Sequence, residues 1–197
     1  MFQKSLFFPK DAEQSESELE ERIHEALLAS RDDVDIRFTY EGQQEKNSGV
    51  CVHTWIDLLD ERAAVQLVFD TLMQSRYVLV MSENASDGQA IVEALSKRFR
   101  FLTIAELIAA AERMGEDPDA LTQLGMALSD QSVPRARELV ISALSNLDPE
   151  VRNSGAVAAS FLRDGALVPA LRSAIEIEPD EGVRRVMVWA SDLCAKS

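Results

Sequence analysis

Histidine is scarce in this chain of 197 residues, with two copies, and cysteine and tryptophan are no commoner. That poverty starves most acid-base and metal schemes. Cys51 and Cys194 lie far apart and lack C-x-x-C spacing, so neither a disulfide framework nor a zinc site is indicated, and a reducing compartment fits best. No apolar run approaches the ~20 residues of a membrane span, and the opening MFQKSLFFPKD holds too few apolar residues for a signal-peptide core. A cytoplasmic location is expected. Basic residues are outnumbered, 20 against 34 acidic, for a formal net charge of -14 spread through both halves. Such a balance repels phosphate backbones and argues against nucleic-acid binding, whereas a basic protein would be steered in; solubility alone is the plainer explanation. Neither G-x-S-x-G, H-E-x-x-H, a phosphate-binding glycine loop nor an EF-hand pattern occurs. The sequence indicates no catalytic residue, no metal site and no cofactor.

What it does contain is repetition. DPEVR (Asp148 to Arg152) aligns with PDEGVRR (Pro179 to Arg185) at an offset of 32, which carries Ala158 onto Ala190 and Leu162 onto Cys194. DPDAL (Asp117 to Leu121) lies 31 residues before DPEVR, and a fixed period in this range signals stacked helical repeats. In the best unit Asp148 is an N-cap with Pro149 in the first helical position, and Val151, Ser154, Gly155, Ala158, Phe161 and Leu162 form one buried stripe. RDG (Arg163 to Gly165) ends that helix, with glycine in the left-handed conformation of a C-cap, and ALVPALRSAI supplies a second helix with Val168, Leu171 and Ile175 on one side.

These residues, Asp148, Pro149, Val151 and Arg152 followed by Val168, Pro169, Ala170 and Leu171, resemble a HEAT-like repeat of the short, phycobilin-lyase type. One unit, residues 148 to 176, matches well. The flanking units depart from the pattern: Leu121 and Thr122 replace the valine and arginine, and the last has a single helix. The resemblance implies a protein-binding scaffold; it does not imply lyase activity, since no chromophore-handling residues are seen.

The first hundred residues have another rhythm. FQKSLFF reads as a short strand. SESELEERIHEALLAS reads as a helix, capped by Ser15 with Glu18 or Ser17 with Glu20, with Leu19, Ile23 and Leu27 on one face. VDIRFTY alternates Val34, Ile36, Phe38 and Tyr40, and pairs with VCVHTWI across a polar loop, EGQQEKNSG. Val65, Val68, Phe69 and Leu72 suggest a helix, YVLVM a strand buried on both faces, and Ser86 caps a further helix to about Arg98. The order β-α-β-β-α-β-α is similar to the ferredoxin-like arrangement. The expected fold is therefore α+β: a βαββαβ-type sandwich over residues 1–102, then a short α-solenoid of HEAT-like hairpins over residues 103–197, packed together because no flexible linker separates them.

His53 shares a strand face with Cys51 and Trp55, but without an orienting third group the pair reads as packing or partner contact rather than a nucleophile. A partner site is expected on the last helix, where Trp189 sits at the edge of the buried stripe near Glu176, Glu178, Asp180 and Glu181, an aromatic anchor with an acidic rim. The function expected is a non-enzymatic acidic module for a basic protein, an immunity protein against a bacterial toxin being one form of it. The alternatives are a small-molecule-sensing regulatory protein and an accessory subunit of a lyase-like enzyme.

Overall fold

The computed structural model describes residues 1–10, 14–30, 36–47, 49–71, 73–129, 131 and 133–196, which fall into two compact units, Met1–Leu102 and Thr103–Ser197. The fold is mixed α+β. The first unit is an antiparallel sheet of five strands, β1 (Phe2–Phe7), β2 (Phe38–Asn47), β3 (Val50–Asp57), β4 (Ala63–Asp70) and β5 (Ser75–Ser82), in the order β1-β5-β4-β3-β2. Helix α1 (Glu16–Ala29) joins β1 to β2, and α2 (Ala85–Ser96) follows β5. Strands β2 to β5 are a meander, which needs only tight turns. Glu61 and Gln74 take left-handed φ in those turns, at 53° and 43°.

The topology corrects the ferredoxin-like expectation at one element. Residues 63–70 are a strand and not a crossover helix, because Ala63, Val65 and Leu67 point into the core while Ala64 and Gln66 are only half-buried, a period of two that outweighs the helical spacing of Val65, Val68 and Phe69. Leu72, the last residue of that expected helix, lies outside the described residues, as does Val34. The polar stretch EGQQEKNSG is no loop either: most of it is β2, an edge strand whose polar side chains suit exposure. YVLVM is buried on one face only, Val78 and Val80 completely, while Tyr77, Leu79 and Met81 are half-buried.

Leu19, Ile23 and Leu27 of α1 and Ile91 and Leu95 of α2 close over Leu6, Trp55, Val65, Leu67, Val78 and Val80. Ser15 and Glu18 make the capping box of α1, which decides between the two candidate pairs. Asn84 rather than Ser86 caps α2: its side chain accepts from the Asp87 amide, and the Ser86 hydroxyl donates to it.

The second unit is helical: α3 (Ile104–Ala111), α4 (Asp119–Ala127), α5 (Pro134–Leu144), α6 (Pro149–Leu162), a 3₁₀ turn (Gly165–Leu167), α7 (Val168–Ile177) and α8 (Glu181–Cys194). Helix α6 packs between α4 and α8 and also against α5. Asp148 caps α6 with Pro149 behind it, and Val151, Ser154, Gly155, Ala158 and Leu162 are buried, whereas Phe161 is only half-buried. The left-handed C-cap is Arg163, at φ 48°, and Gly165 instead opens the 3₁₀ turn. Close approach is the role of two other positions. A β-carbon at Gly125 of α4 would stand 2.7 Å from the Ala158 Cα, and one at Gly155 2.8 Å from the Ala143 Cβ. Among the described residues no helix is long and apolar enough to cross a membrane.

Candidate functional site

The polar side chains with chemical capacity meet where α1 runs alongside β3. Four residues of helix advance about 6.0 Å and two residues of strand about 6.6 to 6.8 Å, so positions i, i+4, i+8 on one can keep step with j, j+2, j+4 on the other. Glu16, Glu20 and His24 stand in this way against Cys51, His53 and Trp55. Glu16 Oε1 lies 2.8 Å from His53 Nε2 and accepts from the Cys51 thiol at 3.2 Å. Glu20 Oε2 lies 3.4 Å from His53 Nδ1, and the Trp55 indole N–H donates to His24 Nδ1 at 3.2 Å. The neighbouring strand β2 adds Tyr40, opposite Trp55, and Gln43, opposite His53. A register shift between Tyr40 and Gly42 puts both on the helix side.

His53 is the centre of this seam and is 2 % exposed. One ring nitrogen faces Glu16 and, at 3.8 Å, the Cys51 sulfur; the other faces the Tyr40 hydroxyl at 3.0 Å and Glu20. The Phe69 ring packs edge-on against it. The orienting third group that the strand spacing alone does not supply therefore comes from α1, through Glu20, and from β2, through Tyr40. Cys51 is nonetheless no ready nucleophile. Burial, together with the Glu16 carboxylate, pushes its thiol above the ordinary value, while the hydrogen bond from His53 holds Glu16 below its own, so the carboxylate stays charged against a protonated thiol. Burial and the nearby Glu20 raise the Tyr40 phenol as well, which keeps it a hydrogen-bond donor.

Beside this cluster the seam opens into a cleft of about 370 Å³ lined by Ser17, Glu20, Glu21, His24, Tyr40 and Trp55. Trp55 is its closed floor, and Tyr40, 38 % exposed and stacked at a tilt on Trp55 with centroids 5.3 Å apart, is its open aromatic wall. Among the described residues no lysine or arginine lines it; the nearby Arg22 turns away, over the Phe99 ring and toward the Arg98 carbonyl. No family model, curated protein or solved structure matches this chain.

The expected partner site on α8 looks different in place. Trp189 is exposed, at 53 %, together with Val188. Three of its four expected acids are engaged inside the fold. Glu178 is buried and receives two hydrogen bonds from Arg152, at 2.6 and 2.8 Å; Asp180 caps α8 through the Gly182 and Val183 amides; and Glu181 pairs with Arg184. Only Glu176 is an exposed acid without such a role among the described contacts. One helical turn from Trp189 stand Arg185 and Asp192, both exposed, so the tryptophan has no uniformly acidic rim. Residues that sequence reasoning missed are Glu16, Glu20, Glu21, Tyr40 and Gln43. The signal present for them was the i, i+4, i+8 line of Glu16, Glu20 and His24 beside the Leu19–Ile23–Leu27 stripe.

Proposed function

We propose that the cleft between α1 and the outer strands receives a lysine or arginine side chain of a basic protein, and that the chain is a non-enzymatic acidic binding module. One observation carries the reading: Glu20 and Glu21 line an open cleft with an aromatic wall and, among the described residues, no lysine or arginine. A desolvated ammonium or guanidinium is attracted both by the carboxylates and by the ring face of Tyr40. The line Glu16–Glu20–His24 continues one turn further to Leu28, and Leu58 and Leu59 follow the end of β3; all three leucines are more than half exposed. Apolar anchors beside a charged cleft favour a protein over a small organic cation. The net charge of -14 would steer such a partner at long range. Within the same reading we take the second unit as a short HEAT-like array, supported by the recurrent Asp-Pro helix starts and by α6 lying between α4 and α8. A basic toxin held by an immunity protein is one partner of this kind.

The test is titration of the purified protein with a short Lys/Arg peptide at low salt. Glu20→Gln with Glu21→Gln is expected to weaken binding by about tenfold, and salt to weaken the wild type toward the variant. Glu176→Gln with Glu181→Gln serves as the charge-matched control. Equal loss in both double variants would show diffuse attraction to an acidic surface and would refute the cleft.

A further inference from the structure

The three donors Glu16, Cys51 and His53 lie within 4.8 Å of one another, and nothing in the docking reading uses them. We propose that they are the protein ligands of a zinc ion, with Glu20 and Tyr40 as the outer groups that orient the imidazole and a fourth position open to solvent. This goes beyond basic-partner binding and stands or falls separately from it.

The geometry is close to what zinc requires. Tetrahedral bonds of about 2.0 to 2.3 Å put sulfur about 3.6 Å from nitrogen or oxygen, and nitrogen about 3.4 Å from oxygen. Here the separations are 3.8 Å for Sγ to Nε2, 3.2 Å for Sγ to Oε1 and 2.8 Å for Nε2 to Oε1. The adjustment is a few tenths of an ångström, mostly an outward shift of the Glu16 carboxylate. That side chain is 43 % exposed, in the first turn of α1, and can make such a shift.

The surroundings select the same use. A metal-binding imidazole donates its other N–H to an oxygen acceptor, which fixes the tautomer. His53 Nδ1 has the Tyr40 hydroxyl at 3.0 Å and the Glu20 carboxylate at 3.4 Å, leaving Nε2 toward Cys51 and Glu16. The imidazole is locked by burial among Tyr40, Trp55 and Phe69. One thiolate, one imidazole and one carboxylate suit zinc and its cobalt substitute rather than calcium or magnesium, which take oxygen donors throughout. Three protein ligands with an open fourth position is the arrangement of zinc sites that exchange a ligand, not of closed structural ones. On binding, the Cys51 thiol proton passes to solvent and the thiolate joins the metal, while the imidazole gives up the Nε2 proton that it shares with Glu16 in the metal-free site and carries its proton on Nδ1, toward Glu20 and Tyr40.

The experiment uses the full chain and cobalt(II) alone, followed by displacement with zinc. One equivalent of cobalt is expected to produce a thiolate-to-metal charge-transfer band with intense visible bands of tetrahedral type, both removed by one equivalent of zinc. Cys51→Ser should abolish the charge-transfer band and weaken zinc binding by about a hundredfold or more, and Glu20→Gln should weaken it by about tenfold. Cys194→Ser should change neither, since that thiol is buried in the second unit, 3.4 Å from the Ala159 carbonyl. Circular dichroism checks that each variant is folded; Glu16→Gln, altered at a solvent-facing ligand, gives a second loss-of-binding variant should Cys51→Ser misfold. Weak, multivalent binding without a charge-transfer band, or a band that survives Cys51→Ser, would overturn the proposal and leave the three groups as a hydrogen-bonded support for α1.

Discussion

Gly125→Ala places a single methyl group where α4 meets α6. The added carbon would stand 2.7 Å from the Ala158 Cα, 2.8 Å from its carbonyl oxygen and 3.0 Å from its Cβ. Ordinary carbon contacts lie at about 3.5 to 4.0 Å, so the two helices have to part by nearly an ångström. Two of the three obstacles are backbone atoms, which no rotamer change can remove, and α6 is held on its other side by α8. The cost therefore belongs near the top of the overpacking range, about 3 kcal/mol. Replacing a mid-helix glycine by alanine returns about 1 kcal/mol of helix propensity, leaving a net loss of about 2 kcal/mol. For a unit of this size that lowers the melting temperature by roughly 8 to 16 °C. The assay is thermal unfolding followed by the far-UV helical signal, most of which the second unit contributes. Gly115→Ala is the control, because a β-carbon there meets nothing within 4 Å, and it should be neutral or stabilise by up to about 1 kcal/mol. If Gly125→Ala melts at or above the wild-type temperature, α4 and α6 are not in close contact and the stacking of the second unit is wrong.

Arg152→Leu should destabilise by about 2 to 3 kcal/mol, measured by urea denaturation, because it strips the buried Glu178 of two hydrogen bonds and frees the Asn146 and Leu147 carbonyls. The same ion pair sets a pH dependence. Arg152 holds the folded Glu178 carboxyl below its ordinary value of 4.5, so its contribution is complete above that value and is lost as pH falls through the lower folded one. The slope of stability against pH in that acid window should be shallower in Glu178→Gln, and an unchanged slope would show that the pair does not titrate with folding. Trp189→Ala, at an exposed position, should change stability by less than about 1 kcal/mol, and peptide affinity should be unchanged; a large drop in affinity would return the partner site to α8, and a large drop in stability would make Trp189 a structural cap.

The second unit was legible because its signals are local. Asp148 and Pro149 mark a helix start by themselves, and small residues at helical spacing mark its buried side, so α6 was placed to the residue at its N-terminus. The first unit was harder wherever long-range pairing decides. Val65, Val68 and Phe69 have helical spacing, and the ladder to β3 and β5 makes them a strand. EGQQEKN looks like a loop because an edge strand with one half-covered face needs few apolar residues. The site was half visible: Cys51, His53 and Trp55 share a face by simple alternation. Their partners lie 31 to 37 residues away on α1, and no local rule says that the line Glu16–Glu20–His24, rather than the opposite side of the helix, comes to rest on that strand. On α8 the sequence placed acids near Trp189, but N-capping and the Arg152 pair had prior use for them.

If the groove beside α1 takes the basic group of a partner, the two tryptophans report on it separately. Trp55 forms the floor of the cleft with its indole N–H on His24, whereas Trp189 stands exposed on α8 in the other unit. The measurement is an indole N–H nuclear magnetic resonance titration with a Lys/Arg peptide, the two signals assigned with Trp189→Phe. The Trp55 resonance should move and saturate, that movement should vanish in the Glu20→Gln, Glu21→Gln variant, and Trp189 should stay still. Movement of Trp189 with Trp55 unchanged, or of neither, would contradict the claim.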